Sequence, residues 1–232
     1  MDKSIVTALS NPHIPCWTNA SNQETFYGRE LSVRLLRKYA VETGLDTGCD
    51  IDLIFPYIRR SSSLLEVGGG YGRVVRKLLE KNYQGEINVV EKSRVSCREL
   101  AENFQSNIVL NETDILKFKT EKQFQSVLSM WSGVADFSRE EQQAYASLLF
   151  SCCAPGGLLI LDTANSNKNL PHAISTEKQY YSIVGDGFFF NGYIAEKDEI
   201  LLNFQKAGFA LLDYLEYVTN KSICRRIFVF QK

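Results

Sequence analysis

A short apolar strand that stops in four glycines limits what this chain of 232 residues can fold into. Leu64-Leu65-Glu66-Val67 gives way to Gly68-Gly69-Gly70-Tyr71-Gly72, and from Arg73 the pattern turns helical. That succession is the opening unit of a parallel α/β sheet. Its glycines permit a tight turn and let backbone approach a ligand with no Cβ between, while the following helix offers free N–H groups. Spacing narrows the ligand. A dinucleotide fingerprint requires G-x-G-x-x-G, but Gly68, Gly70 and Gly72 fall two apart and Arg73 stands where the third glycine belongs. A P-loop ends in Lys followed by Ser or Thr, a pair that Arg73-Val74-Val75-Arg76 lacks.

What the segment does carry is E-x-G-x-G-x-G, from Glu66, Gly68, Gly70 and Gly72. It resembles the first motif of the class I S-adenosylmethionine-dependent methyltransferases, whose glycines make room for the methionine part of the cofactor. Further landmarks arrive in order. The apolar strand Ile87-Asn88-Val89-Val90 ends in Glu91, at the separation where a carboxylate takes a ribose diol. Asn107 to Leu110 leads to Asp114-Ile115, which resembles the family's turn beside adenine, and Ser126 to Met130 runs into Trp131-Ser132-Gly133-Val134-Ala135-Asp136-Phe137. Ala154-Pro155-Gly156-Gly157-Leu158, read as a helix end and turn before a fifth strand to Asp162, resembles L-x-P-G-G-x-L. Ala207-Gly208-Phe209 precedes a sixth strand, and Arg225 to Phe230 a seventh.

The resemblance covers about Phe55 to Lys232 and implies an α/β, Rossmann-like sheet of seven strands, ordered 3-2-1-4-5-7-6 with the last antiparallel. It implies S-adenosylmethionine as cofactor. Residues carried over as its contacts are Tyr27, Glu66, Gly68, Gly70, Gly72, Arg73, Glu91, Lys92, Asp114, Ile115, Met130 and Trp131.

One domain is expected, with two additions. Residues 1–49 read as a helical cap, irregular around Pro12 and Pro15, with Ser21-Asn22-Gln23-Glu24 as a capping box for one helix reaching Val41. Residues 163–195 are too long for an ordinary connection and hold Tyr180, Tyr181, Phe188, Phe189, Phe190 and Tyr193 around Gly185-Asp186-Gly187. They read as a hairpin that covers the substrate.

Methyl transfer from a sulfonium needs chiefly alignment, so no universal catalytic residue declares the acceptor. Asp136 and His172 are the catalytic candidates, and Trp131, Ser132, Asp136 and Tyr193 the substrate contacts. Met130-Trp131-Ser132-Gly133 is neither the N-P-P-Y type that resembles nucleobase amine methyltransferases nor a Pro-Cys pair, and Ser132 replaces the Asp of magnesium-dependent catechol-type enzymes. A small-molecule acceptor is the expectation; a protein or RNA acceptor, or a non-catalytic cofactor-binding module, are the alternatives. The six cysteines show no C-x-x-C spacing and there are only two histidines, so no metal is expected. A net charge of −1 offers no basic footprint for nucleic acid. With no membrane-length apolar run and no secretory signal pattern, a cytoplasmic location is expected.

Overall fold

Alternate residues of the central strands face two different apolar layers, and this sorts the chain. The computed structural model describes residues 18–168, 170–175, 179–185 and 188–232. The strands are β1 (Ser63–Val67), β2 (Glu86–Glu91), β3 (Ile108–Glu112), β4 (Phe124–Ser129), β5 (Cys153–Ala164), β6 (Ala173–Ser175), β7 (Tyr180–Gly185), β8 (Phe188–Tyr193), β9 (Ala210–Val218) and β10 (Cys224–Gln231). The helices are α1 (Asn19–Asn22), α2 (Ser32–Thr43), α3 (Cys49–Ile58), α4 (Arg73–Glu80), α5 (Arg94–Phe104), α6 (Gln142–Cys152) and α7 (Lys197–Ala207).

Leu64, Val89, Leu128, Ile160 and Val229 meet α3, α4 and α5, through Ile51, Ile54, Val75, Leu78 and Leu100. Their neighbours Leu65, Val90, Val127, Leu161 and Phe228 meet α6 and α7, through Tyr145, Leu149, Ile200 and Phe204. A strand buried on both faces reads as a continuous apolar run, as these do. At about 1.5–3 kcal/mol for each fully buried large side chain, these two layers dominate the stabilisation of the fold.

The seven-stranded sheet has the order β3-β2-β1-β4-β5-β10-β9. Pairing is parallel from β3 through β5, and β10 is antiparallel to both neighbours. Leaving out the inserted β6–β8, this is the expected order 3-2-1-4-5-7-6. Strand order reverses between β1 and β4, so their carboxyl ends open a crevice there. Three elements of local structure differ from the sequence reading. The N-terminal helix is broken: α1 passes into one π-helical turn, Gln23–Tyr27, which ends where the Gly28 N–H bonds the Gln23 carbonyl at 2.7 Å, and α2 starts only at Ser32. Ser21 is not the cap but the third helical residue, its Oγ accepting from Thr18 N at 3.3 Å. Pro155-Gly156 is not a helix end but a bulge inside β5, with Gly156 at φ +72° and the β4 pairing shifted between Phe124 and Ser126. The irregular start around Pro12 and Pro15, and the tip Asp186-Gly187, lie outside the described residues.

The insertion forms a separate antiparallel sheet, β6-β7-β8, with Gly185 opposite Phe188. Tyr181, Phe188 and Phe190 pack with Phe26 of the π turn in a third apolar cluster beside the crevice. Among the described residues no helix is long and apolar enough to cross a membrane.

Candidate active site

The crevice is a cavity of about 210 Å³, floored by the ends of β1, β2 and β4 and walled by the N-terminal segment and the β6–β8 sheet. Gly68 has φ +76°, and a Cβ there would meet nothing within 4 Å. Gly70 has φ +54° and would meet only Leu36, at 3.7 Å. Both open backbone to the cavity. Gly72 does a different job: a Cβ there would stand 2.3 Å from Phe104, so its absence lets α4 pack on α5, and Gly72 does not line the cavity. The carried-over contact at Gly72 is therefore better described as a packing position.

Two carboxylates lie beside the glycines. Glu91 is buried, with Oε2 accepting from Gly70 N at 2.8 Å and Oε1 from Ser93 N at 2.7 Å, which fixes the glycine turn to the end of β2. Burial raises its pKa, opposed by those two backbone donors. Glu66 is also buried, its Oε2 has no hydrogen-bond partner among the described residues, and burial pushes its carboxyl from 4.5 to about 8. A carboxyl raised on folding stays protonated in the folded state when the unfolded chain has ionised. Its contribution to stability is complete below pH 4.5 and declines as pH rises through about 8. Urea unfolding of the ligand-free protein at pH 6 and pH 9 should show stability falling with pH, and Glu66→Gln should flatten that fall.

Arg73 is buried at the cavity wall and makes a bidentate pair with Asp50 of α3, 2.7 Å for each bond, with a third bond to the Leu45 carbonyl at 3.0 Å. Its charge is thus balanced within the protein. Its guanidinium carbon lies 5.7 Å from the Trp131 ring.

The turn after β4 is strained. Trp131 and Ser132 have φ +51° and +61°, a conformation that L residues rarely adopt. It is held by Asp162 of β5, fully buried, whose Oδ2 accepts from Trp131 N at 3.0 Å and whose carbonyl accepts from Ser132 N at 2.8 Å. Arg225 of β10 completes the network, donating to Asp162 Oδ2 at 2.5 Å and to Ser132 Oγ at 3.0 Å, while the Tyr217 hydroxyl donates to Asp162 Oδ1 at 2.8 Å. Burial opposes the charge of Arg225, but the Asp162 charge, the Tyr217 phenol, the hydrogen bonds to Asp162 and the more distant Asp50 together outweigh it and hold the guanidinium protonated. Sequence reading missed Asp50, Asp162 and Arg225. For Asp162 the available signal was a charge at the end of an apolar strand run, because such a residue needs a partner; Asp50, in the first turn of α3, gave no such signal.

Asp136 follows on the next turn. Its Oδ2 accepts from the Tyr27 hydroxyl at 2.6 Å, and burial raises its pKa to about 6. The same burial, with the Asp136 charge next, holds the Tyr27 phenol well above its ordinary range. Lys92 Nζ donates to Asn19 Oδ1 at 2.5 Å and lies 5.7 Å from the Tyr27 ring. Ile115, Met130, Trp131 and Ser132 line the cavity as well. Asp114 does not: it caps a short 3₁₀ turn, accepting from Leu116 N at 2.9 Å, and Thr113 takes its place on the wall.

Two candidates do not line the cavity. His172 stands at its edge, about half exposed, paired with Glu42 at 3.2 Å and with its ring 5.7 Å from that of Tyr39. Tyr193 is 1% exposed and turned into the core under α7, its hydroxyl donating to Glu199 at 2.5 Å. Strand parity is the reason: Phe188 and Phe190 of β8 face the cavity, so Tyr193 faces the other way. Among the described residues no group of three or more His, Cys, Asp or Glu could hold a metal ion.

Residues 64–157 match the family model described as a methyltransferase domain. No curated protein matches the chain. Solved structures of similar fold include the PH0226 protein from Pyrococcus horikoshii OT3, at 20% identity and TM-score 0.65, covering 90% of this chain and 94% of that one. Magnesium protoporphyrin IX methyltransferase from Synechocystis PCC 6803, with bound S-adenosylhomocysteine, is 14% identical with TM-score 0.65, covering 85% and 92%. An amino pentose methyltransferase from Micromonospora echinaspora is 16% identical with TM-score 0.58, covering 80% and 90%.

Proposed function

Since the chain belongs to the class I S-adenosylmethionine-dependent methyltransferases, we propose that it methylates a small molecule inside the cavity between the sheet and the β6–β8 insertion. The observation that carries this reading is the wall itself. Phe26, Tyr27, Tyr181, Phe188 and Phe190 cover the side of the cavity facing Asp136, an arrangement that suits an acceptor taken in whole better than a segment of a macromolecule. Two proteins of similar fold, an amino pentose methyltransferase and a magnesium protoporphyrin IX methyltransferase, are named for small-molecule acceptors.

The residues present fit the cofactor. Gly68 leaves open space on the cavity side, and the unpartnered Glu66 carboxyl suits a cationic ligand, whose charge would draw off its proton. Glu91 keeps lone pairs free for a ribose diol beyond those used by Gly70 and Ser93. Ile115 and Met130, both buried, offer apolar surface for the base. When bound, S-adenosylmethionine supplies an electrophilic methyl group on a sulfonium. The protein then contributes alignment and exclusion of water, with the Trp131–Ser132 turn holding the acceptor side fixed. The β6–β8 sheet and the Tyr27 segment would act as the cover over both ligands.

Incubation with cofactor carrying a labelled methyl, against small-molecule, protein and RNA fractions of a cell extract, tests the reading. Label in the small-molecule fraction is expected. Label confined to protein or RNA would refute it, and tight cofactor binding with no transfer would favour a non-catalytic module. Because His172 does not line the cavity, His172→Ala should leave the transfer rate within about two-fold of the unsubstituted protein. A loss of several orders of magnitude would place that residue in the chemistry.

A further inference from the structure

The acceptor half of the cavity holds one carboxylate in an aromatic setting. Asp136 Oδ2 is bonded by Tyr27, and among the described residues its Oδ1 receives no hydrogen bond and no cationic side chain is ion-paired with it. Lys92, whose charge favours the ionised form of Asp136, is tied to Asn19 through both the side-chain and main-chain oxygens of that residue, at 2.5 and 3.1 Å. Around the carboxylate the rings are close together. Tyr27 and Phe190 have centroids 6.0 Å apart, Tyr181 and Phe190 6.1 Å, and Phe26 and Tyr27 5.0 Å. The other charged groups that line the cavity are Glu66 and Glu91, and the guanidiniums of Arg73 and Arg225, each neutralised by its own buried Asp.

Resting on the small-molecule reading, we propose that the acceptor is an amine, bound as an ammonium group between these rings and Asp136, and that Asp136 removes its proton before methyl transfer. Ring faces and a carboxylate both favour a cation. An acceptor bearing a carboxylate or phosphate at the reacting end would meet repulsion from Asp136 and gain nothing from the rings. An alcohol would need a far stronger base, whereas a carboxyl raised to about 6 remains ionised at neutral pH and can exchange a proton with an ammonium.

The step balances. Asp136 takes one proton from the ammonium, which leaves a neutral amine with a free lone pair. The nitrogen lone pair forms the bond to the methyl carbon as the carbon–sulfur bond breaks, and the electron pair of that bond stays on sulfur. Positive charge passes from sulfur to nitrogen, and the proton on Asp136 returns to water after product release. Tyr27, through its hydrogen bond, positions the carboxylate.

The labelled-methyl reaction on a small-molecule extract tests this when its product is passed over ion exchangers. Label retained on a cation exchanger at pH 5, and lost by at least about 100-fold in Asp136→Asn, is the expected result. In Asp136→Asn the residual rate should climb about ten-fold per pH unit as bulk solvent deprotonates the amine, a dependence absent from the unsubstituted protein above pH 7. S-adenosylhomocysteine affinity within about two-fold of normal would show that the variant is folded. Label in a neutral or anionic small molecule, or full activity in Asp136→Asn, overturns the amine inference and leaves the small-molecule reading standing. Label found only in protein or RNA overturns both.

Discussion

Replacing Asp162 by Ala is expected to cost about 3–5 kcal/mol of stability, the usual penalty for leaving a buried charge without its partner. Arg225 is 1% exposed at its side chain and would lose all three of its hydrogen bonds to the carboxylate. The Tyr217 hydroxyl would lose its acceptor and Trp131 N its bond of 3.0 Å. The effect reaches function through the strained turn. With φ +51° and +61°, Trp131 and Ser132 hold a conformation costing about 1–3 kcal/mol each, which the Asp162–Arg225 network over-determines. Urea unfolding gives the first quantity. The near-isosteric Asp162→Asn, which keeps the shape and removes the charge, should lower methyl transfer more than cofactor affinity, because the turn lines the cavity on the proposed acceptor side. A stability loss under about 1 kcal/mol would mean that the network is not what holds this corner together.

The second large effect belongs to Glu91→Ala. Its carboxylate accepts from Gly70 N and Ser93 N, and hydrogen bonds to a charged group contribute about 1.5–3 kcal/mol each. Losing them frees the glycine turn from β2, and losing the carboxylate removes the proposed acceptor for the ribose diol as well. A fall in S-adenosylmethionine affinity of about 100-fold or more is expected from calorimetric titration. Unchanged affinity would refute the ribose assignment and reduce Glu91 to a brace for the turn. Glu91→Gln separates the two: it retains one acceptor oxygen for the backbone and loses the charge.

Much of the sheet was legible because strands buried on both faces are apolar throughout, and because Gly68 to Gly72 mark one strand-to-helix turn that the rest must flank. Strand order followed only from motif order, since apolar periodicity carries no information about which strands are neighbours. Local features decided by distant contacts stayed hidden. The π turn at Gln23–Tyr27 follows no propensity in its own residues; it lies where Phe26 packs on Phe188 and Phe190 and where Asn22 bonds the backbone of Asn191, 169 residues away. Asp50 with Arg73, and Asp162 with Arg225, are likewise pairs made by the sheet and its covering helices. For Asp162 the one trace in the sequence is a charge closing an apolar run; Asp50 and Arg73, each in the first turn of a helix, leave none. Tyr193 was readable in retrospect, as its odd place relative to Phe188 and Phe190 in one strand sets it on the opposite face.

Titration of the purified protein with S-adenosylhomocysteine, with NAD as control and at pH 7 in two buffers of different ionisation enthalpy, tests the central claim most directly. One saturable site for the homocysteine derivative and none for NAD is the expected result. S-adenosylmethionine, run alongside, should release a proton that the Glu66→Gln variant does not, because Glu66 titrates near pH 8 in the ligand-free protein. Binding of NAD in place of either adenosyl compound would contradict the reading of Gly68, Gly70 and Glu91 as a methyl-donor site.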